Sequence, residues 1–209
     1  MPPTIGGPSE IPYRYITHAP PRGIMKSPGF RRGFAHLAPR GLSFDAAIFH
    51  HQLPEIADLA DAFPNTSIVL NHMGIAMALE ADADGRSEVF RTWRVALQDL
   101  ARRPNVTCKI GGLGMPFWGF GFESRLEPIG YSELAAAWAP YVECAIEAFG
   151  VDRCMMESNF PPDGRSCGFV PSWNALKYIV RRYEPNEKKA LFSETAACVY
   201  RIKLLRDKN

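Results

Sequence analysis

The chain has 209 residues and a formal net charge of +2, with 46% hydrophobic, 22% charged and 11% aromatic residues. This is the composition of a globular domain with enough apolar side chains for a core. Lysine and arginine are dispersed along the chain, which argues against nucleic acid or an anionic membrane as a partner. No apolar run approaches the ~20 residues that a membrane helix needs, and residues 1–7 lack the basic and apolar regions of a secretion signal, so we expect none.

The five cysteines are an odd number, widely spaced and without a Cys-x-x-Cys pair. Four of them lie in apolar stretches, which predicts reduced thiols in a core: Cys108, Cys144, Cys154 and Cys198. Because disulfides are rare in reducing compartments, this usage predicts a cytoplasmic protein.

Residues 1–27 contain three proline-containing breaks and have room for one short strand, Tyr13–Thr17. We interpret them as an irregular N-terminal segment that precedes one domain over residues 28–209. From about residue 28 onward, the apolar pattern alternates regularly between strand and helix.

Four apolar segments predict buried strands, at Leu42–Phe49, Ser67–Leu70, Asn105–Ile110 and Arg153–Ser158. Helical spacing follows each of them, over residues 53–63, 89–100, 134–149 and 173–183, and a terminal helix begins near Asn186. Strands that alternate with helices predict an α/β fold with a parallel sheet. A closed eight-unit barrel takes about 250 residues, so the chain predicts either a small open sheet or the later part of a barrel.

Polar residues directly follow two of these strands. The segments are Ile68–Gly74 (IVLNHMG) and Cys154–Asp163 (CMMESNFPPD). In parallel α/β folds the active site is built at the carboxyl ends of the strands. The first segment places His72 there, and the second places Asn159 and Asp163 there.

From about residue 30 to residue 202 the chain resembles the amidohydrolase-related family of TIM-barrel hydrolases, which includes lactone hydrolases and decarboxylase relatives. The resemblance is carried by FRRGFAHLAPRGLSFDAAIFHHQLPEIADLADAFPNTSIVLNHMG, NVTCKIGGLGMP, CMMESNFPPD and ALFSETAACVYRI, in the order of the family. It implies a partial TIM (β/α)8 barrel that holds roughly strands four or five to eight. The family's first strand carries a His-x-His motif, and no such motif occurs in these 209 residues. We therefore expect an N-terminally truncated, carboxyl-terminal portion of a longer enzyme.

The resemblance also implies a set of site residues. His50 or His51 would end strand five, His72 strand six and Asn159 strand eight, with Lys109 near the end of strand seven. We favour His50 over His51 because successive strand side chains alternate between the two faces. His50 and His72 would hold one divalent metal, Zn²⁺ or Mn²⁺, that polarises a carbonyl group and activates water.

Asn159 stands where the family carries a carboxylate, and an amide cannot accept a proton at neutral pH. Three alternatives stay open. The amide orients substrate while Asp163 or Glu157 supplies the carboxylate; or the site is metal-free, with the histidines and Lys109 acting electrostatically; or the site is degenerate. We predict His72, Asn159, Asp163 and Lys109 as catalytic residues.

Glu157 is predicted to bind substrate, and it must be paired if it is buried. Lys109 either binds a substrate carboxylate or forms a salt bridge with Glu157. The loop from Leu113 to Gly130 is rich in glycine and aromatic residues. Its Phe117 and Trp118 are predicted to form a lid or wall for substrate, with packing against another subunit as the alternative.

These features together predict a hydrolase that acts on a small lactone, carboxylic ester or related carbonyl compound. The alternatives are an inactive half-barrel and a decarboxylase of the same family. An open sheet edge favours pairing with another chain, so we expect a homo-oligomer or association through that edge.

Overall fold

The computed structural model describes residues 20–203. Within them, four parallel strands form one sheet in the order β1-β2-β3-β4: β1 (Phe44–Ala47), β2 (Ile68–Asn71), β3 (Val106–Ile110) and β4 (Cys154–Met156). This confirms the predicted α/β fold with a parallel sheet. Three strands are shorter than predicted. β1 ends before Ile48 and Phe49, which are buried in the turn that follows it, β3 begins one residue later, and β4 ends before the polar Glu157 and Ser158. The predicted strand Tyr13–Thr17 lies outside the described residues.

Helices follow each strand and confirm the predicted alternation. They are α1 (Pro28–Phe34), α2 (Leu53–Ala62), α3 (Ala83–Leu100), α4 (Tyr131–Phe149), α5 (Phe169–Ile179), α6 (Pro185–Lys189) and α7 (Thr195–Tyr200), with a π-helical turn at Ala190–Glu194. Local sequence sets several ends. Asp82 caps α3 by accepting a hydrogen bond from the Gly85 amide at 2.8 Å. Gly150 ends α4 with a φ of +77°, a region that favours glycine.

The two faces of the sheet carry different side chains, because strand residues alternate. Cys108 and Cys154 are register partners and point toward the helical layer, where the Cys154 thiol contacts the Ala145 carbonyl. Asp45 and Lys109 lie on the opposite face, and Tyr200 of α7 reaches them there. The apolar core therefore fills the space between the sheet and α2 to α5.

Two polar side chains organise the amino-terminal end of the sheet. The Asn105 amide donates to the carbonyls of Ala60, Phe63 and Thr66, each at 3.2 Å. The Arg153 guanidinium binds four backbone carbonyls, at Ala101, Arg103, Val106 and Phe149. These bonds satisfy backbone carbonyls that lie between the last turn of a helix and the first residue of the next strand, inclusive. These side chains therefore stabilise the amino-terminal end of the sheet, and the carboxyl ends of the strands are where a parallel α/β fold places an active site.

Cysteine placement agrees with the sequence in three of four positions. Cys108, Cys144 and Cys154 are buried free thiols, as predicted, and Cys167 is buried too. Cys198 is exposed, which corrects the prediction for that residue. Its neighbours in α7 are apolar, but Cys198 itself lies on an exposed position of that helix.

β1 forms the edge of the sheet. Within residues 20–203 only β2 pairs with it, and a cavity of about 810 Å³ runs along its other side. The cavity touches six consecutive residues, 44–49, so it lies beside the strand and not on one face of it. No helix within residues 20–203 has the length and apolar character required to cross a membrane.

Candidate active site

A tight turn after β2 sets the position of His72. His72, Met73 and Gly74 all adopt left-handed backbone conformations, with φ values of 54°, 54° and 63°. The Met73 amide donates to the Lys109 carbonyl at 3.1 Å, and the Met73 carbonyl accepts from the Trp93 indole at 2.8 Å. Left-handed conformations at residues other than glycine are uncommon and cluster at functional sites. The turn directs the His72 ring across the strand ends toward β4.

His72 meets Glu157, the residue that directly follows β4. The Nδ1 atom of His72 lies 2.6 Å from Oε1 of Glu157. Both atoms are buried, and among the described residues neither forms a hydrogen bond with another group, so each faces the other across this contact. The two side chains are 15% and 22% exposed, so a small molecule can reach them. This contact uses Nδ1 and leaves the other ring nitrogen of His72, Nε2, outside the pair.

Two glycines make this contact possible. β3 lies between β2 and β4, so His72 and Glu157 meet over the residues that follow β3. A Cβ atom at Gly111 would lie 2.2 Å from Cγ of Glu157, and one at Gly112 would lie 2.5 Å from Nδ1 of His72. Any side chain at either position would collide with the pair. The Gly-Gly sequence is the signal that could have predicted the contact.

Asp163 is buried beside the pair and fully engaged. Its Oδ2 accepts from the Gly114 amide at 2.9 Å, and its Oδ1 accepts from Nδ2 of Asn159 at 2.6 Å. The side chain is 2% exposed. Burial raises the pKa of Asp163 to about 6, although the hydrogen bonds from Gly114 and Asn159 oppose the shift. Asn159 has a left-handed backbone conformation, with a φ of 51°, and its side-chain amide is a hydrogen-bond donor to Asp163.

Lys109 belongs to a different cluster. Its Nζ lies 3.0 Å from Oδ2 of Asp45, which also accepts from the Tyr200 hydroxyl at 2.7 Å. Burial acts to lower the pKa of Lys109, but the hydrogen bonds with Tyr200 and Asp45 outweigh it and the pKa is raised. The predicted salt bridge with Glu157 is therefore wrong: Glu157 pairs with His72, and Asp45 compensates the lysine charge.

His50 and His51 lie in a 3₁₀ turn, His50–Gln52, that follows β1. The strand alternation used to choose between them does not apply, because neither is in the strand. Nδ1 of His50 accepts from the Met77 amide at 3.1 Å. Burial, with a further contribution from His51, lowers the pKa of His50 to about 4. His50 is therefore neutral with its proton on Nε2, while His51 stacks on Phe49.

The described residues do not fit a divalent metal. A catalytic metal site needs about three protein ligands, and residues 20–203 bring no three His, Cys, Asp or Glu side chains together in such an arrangement. Nδ1 of His50 is already an acceptor and its Nε2 carries the proton, so that ring offers no lone pair to a cation. Among residues 20–203, the two predicted ligands His50 and His72 therefore do not form a metal site together.

The aromatic loop packs behind the pair. Trp118 has no exposed surface; its indole donates to the Gly112 carbonyl at 2.8 Å, and it packs on Tyr141 with ring centroids 5.0 Å apart. This corrects its predicted contact with substrate, because a fully enclosed side chain is part of the core. Phe117 is 8% exposed and packs edge-on against Phe49. A role for Phe117 in substrate binding stays a prediction.

A parallel sheet with helices on its outside, and a carboxylate–imidazole pair at the carboxyl ends of its strands, defines the class of protein. It is an α/β protein of the barrel type whose site suits general acid–base chemistry. The family is also shown. A family model described as Amidohydrolase matches residues 15–202, and the chain belongs to that family.

Two curated relatives are similar over most of this chain. The uncharacterised protein y4mH of Sinorhizobium fredii is 42% identical over 179 residues, which cover 86% of this chain and 54% of that protein. An L-fucono-1,5-lactonase of Burkholderia multivorans is 28% identical over 187 residues, 87% of this chain and 58% of the relative. The chain therefore spans little more than half the length of these relatives.

Solved structures support the same fold. The crystal structure of an amidohydrolase from Burkholderia multivorans with bound HEPES has a TM-score of 0.76 and 25% identity, covering 87% of this chain and 61% of that one. A second crystal form from that organism, with bound zinc, has a TM-score of 0.73 and 24% identity over 87% and 60% of the two chains. The four-stranded sheet thus matches part of a TIM barrel.

Proposed function

We propose that the protein hydrolyses a small lactone or related carboxylic ester, with His72 as general base and Glu157 as the group that orients it. The observation that carries this proposal is the 2.6 Å contact between Nδ1 of His72 and Oε1 of Glu157. The similarity to an L-fucono-1,5-lactonase supports the substrate class.

The pair supplies the general base for ester hydrolysis. Nε2 of His72 takes a proton from water as the water oxygen attacks the carbonyl carbon of the substrate. The Glu157 carboxylate stabilises the imidazolium that forms, and its contact with Nδ1 orients the ring. When the tetrahedral intermediate collapses, its C–O bond breaks, and the imidazolium returns the proton to the departing oxygen. In a lactone this opens the ring to a hydroxy acid.

The same geometry weighs against the two alternatives. Decarboxylation does not require a base that activates water, so a histidine oriented by a carboxylate favours hydrolysis. The close approach of Gly111 to Glu157 and of Gly112 to His72 holds the pair at the strand ends, which favours an active site over an inactive half-barrel. A positioned base contributes about 10²- to 10⁴-fold to the rate.

The proposal is tested with a panel of five- and six-membered aldonolactones and simple aryl esters, followed through proton release. The wild-type chain should hydrolyse at least one lactone, and His72→Gln should lower kcat/KM by about 100-fold or more. Glu147→Gln, a change at an exposed position on α4, is the matched control and should keep full activity. Full activity in His72→Gln would contradict the proposal.

A further inference from the structure

Asp163 connects the two backbone segments that hold the His72–Glu157 pair. Its Oδ2 accepts from Gly114, two residues beyond Gly112, whose Cα faces Nδ1 of His72. Its Oδ1 accepts from Asn159, two residues beyond Glu157. One carboxylate thus joins the segment behind His72 to the segment that carries Glu157.

The atoms around Asp163 pack about as closely as those around the His72–Glu157 pair. A Cβ atom at Gly114 would lie 2.8 Å from Cβ of Asp163. The Asp163 backbone also takes part: its amide donates to the Asn159 carbonyl at 3.1 Å, and its carbonyl accepts from the amides of Ser166 and Cys167. The side chain is therefore held on both sides and is 2% exposed, which leaves no open oxygen for substrate.

We propose that Asp163 is a positioning residue, whose carboxylate holds the Gly112–Gly114 segment and the Glu157–Asn159 segment at the separation that brings His72 and Glu157 into contact. This deepens the proposed function and rests on it for its consequence in catalysis. It also gives Asn159 a role. Its side-chain amide, at the strand end, donates a hydrogen bond to the carboxylate of Asp163, four residues later in the chain.

Exchanging the residues at positions 159 and 163 distinguishes a positioning role of the Asp163 carboxylate from its direct participation in catalysis. In the double variant Asn159→Asp/Asp163→Asn, the amide oxygen now at position 163 can accept from Gly114, and the NH₂ group beside it can donate to the carboxylate now at position 159. Both hydrogen bonds and the net charge are kept, while the carboxylate leaves position 163. Asp163→Ala removes both bonds, and Asp163→Asn keeps the size of the side chain if Ala proves too destabilising to fold.

The experiment observes the His72–Glu157 pair by NMR in the absence of substrate. The signals are the ring protons of His72 and the exchange rate of the Gly114 amide. Asp163→Ala should shift or broaden the His72 signal and accelerate Gly114 exchange by about 10-fold or more, since that amide loses its partner. In the exchange variant both signals should return toward wild type. Its kcat/KM should also return toward wild type, from a value that is about 100-fold lower in Asp163→Ala.

Two results would overturn the proposal. One is an Asp163→Ala variant with unchanged His72 and Gly114 signals. The other is an exchange variant that restores both signals but not kcat/KM, since that would assign direct chemistry to the Asp163 carboxylate. Because the NMR signals need no turnover, a failure of the proposed lactone hydrolysis would leave them readable and would be recognised separately.

Discussion

Contacts between individual residues across three strand ends define the candidate site. His72 comes from the end of β2, Glu157 from the end of β4, and the glycines between them from the end of β3. Nδ1 of His72 faces the Glu157 carboxylate, and Nε2 lies outside this contact. His50 shows the converse arrangement, since its Nδ1 accepts a backbone hydrogen bond and its Nε2 carries the proton.

Gly112→Ala should misplace His72. The new Cβ would lie 2.5 Å from Nδ1, so the ring must move and kcat/KM should fall by about 100-fold. Gly121→Ala is the matched control: Gly121 has a similar φ of +72°, but no atom lies within 4 Å of its Cβ position. Both variants should lose about 1 kcal/mol of stability from the left-handed backbone, measured by denaturant unfolding. Equal kcat/KM in the two variants would contradict the predicted contact.

His50 should stay neutral well below its ordinary range. Its pKa in the folded state is about 4, against 6.5 in the unfolded chain. The folded state therefore binds fewer protons in this window, so stability from this group is present above pH 6.5 and is lost as the pH falls toward 4. NMR of the ring proton should show no titration between pH 8 and 5, and His50→Gln should lose less stability than wild type between pH 7 and 5. A ring midpoint near 6.5 would contradict this.

At the scale of elements, the sequence predicts the order and type of the strands and helices well, because apolar periodicity records which face of each element is buried. The contacts at the site were harder to predict. That His72 meets Glu157 depends on strand order and on the Gly111–Gly112 turn, neither of which is local in sequence. Lys109 shows the same limit: its partner Asp45 lies two strands away and 64 residues earlier.

The hydrogen bonds from Asn105 to turns at the amino-terminal end of the sheet should stabilise the fold without affecting the candidate active site. Asn105→Ala removes three hydrogen bonds to backbone carbonyls and should cost about 2 kcal/mol of unfolding free energy. The exposed Asn65→Ala is the control and should change little. Because this end is opposite the strand ends that carry His72, kcat/KM should be unchanged in both. A large activity loss in folded Asn105→Ala would show that the two ends are coupled.

At the scale of the whole molecule, α7 is tied across the sheet to β1 and β3. The Tyr200 hydroxyl and Nζ of Lys109 meet on one oxygen of Asp45, and the ammonium also lies 5.3 Å from the Tyr200 ring centre. This cluster joins the last described helix to the first strand. Association through the β1 edge stays a prediction, which sedimentation over a range of concentrations would check.

Lys109→Met should act on stability and not on chemistry. It leaves Asp45 with the Tyr200 hydroxyl alone, and because the pair is partly exposed the cost should be about 1 kcal/mol. Tyr200→Phe should cost a similar amount through the lost hydrogen bond. Thermal unfolding and kcat/KM measured on the same samples check this. A loss of about 100-fold in kcat/KM with unchanged stability would instead place Lys109 among the catalytic residues.

Whether His72 and Glu157 act as one unit is decided by a double-mutant cycle in kcat/KM on the best lactone substrate, with His72→Gln, Glu157→Gln and the double variant. Each single variant should lose about 100-fold or more, and the double variant should be no slower than the slower single, because a base and its orienting group fail together. A Glu157→Gln variant with wild-type kcat/KM, or losses that multiply in the double variant, would contradict a coupled pair.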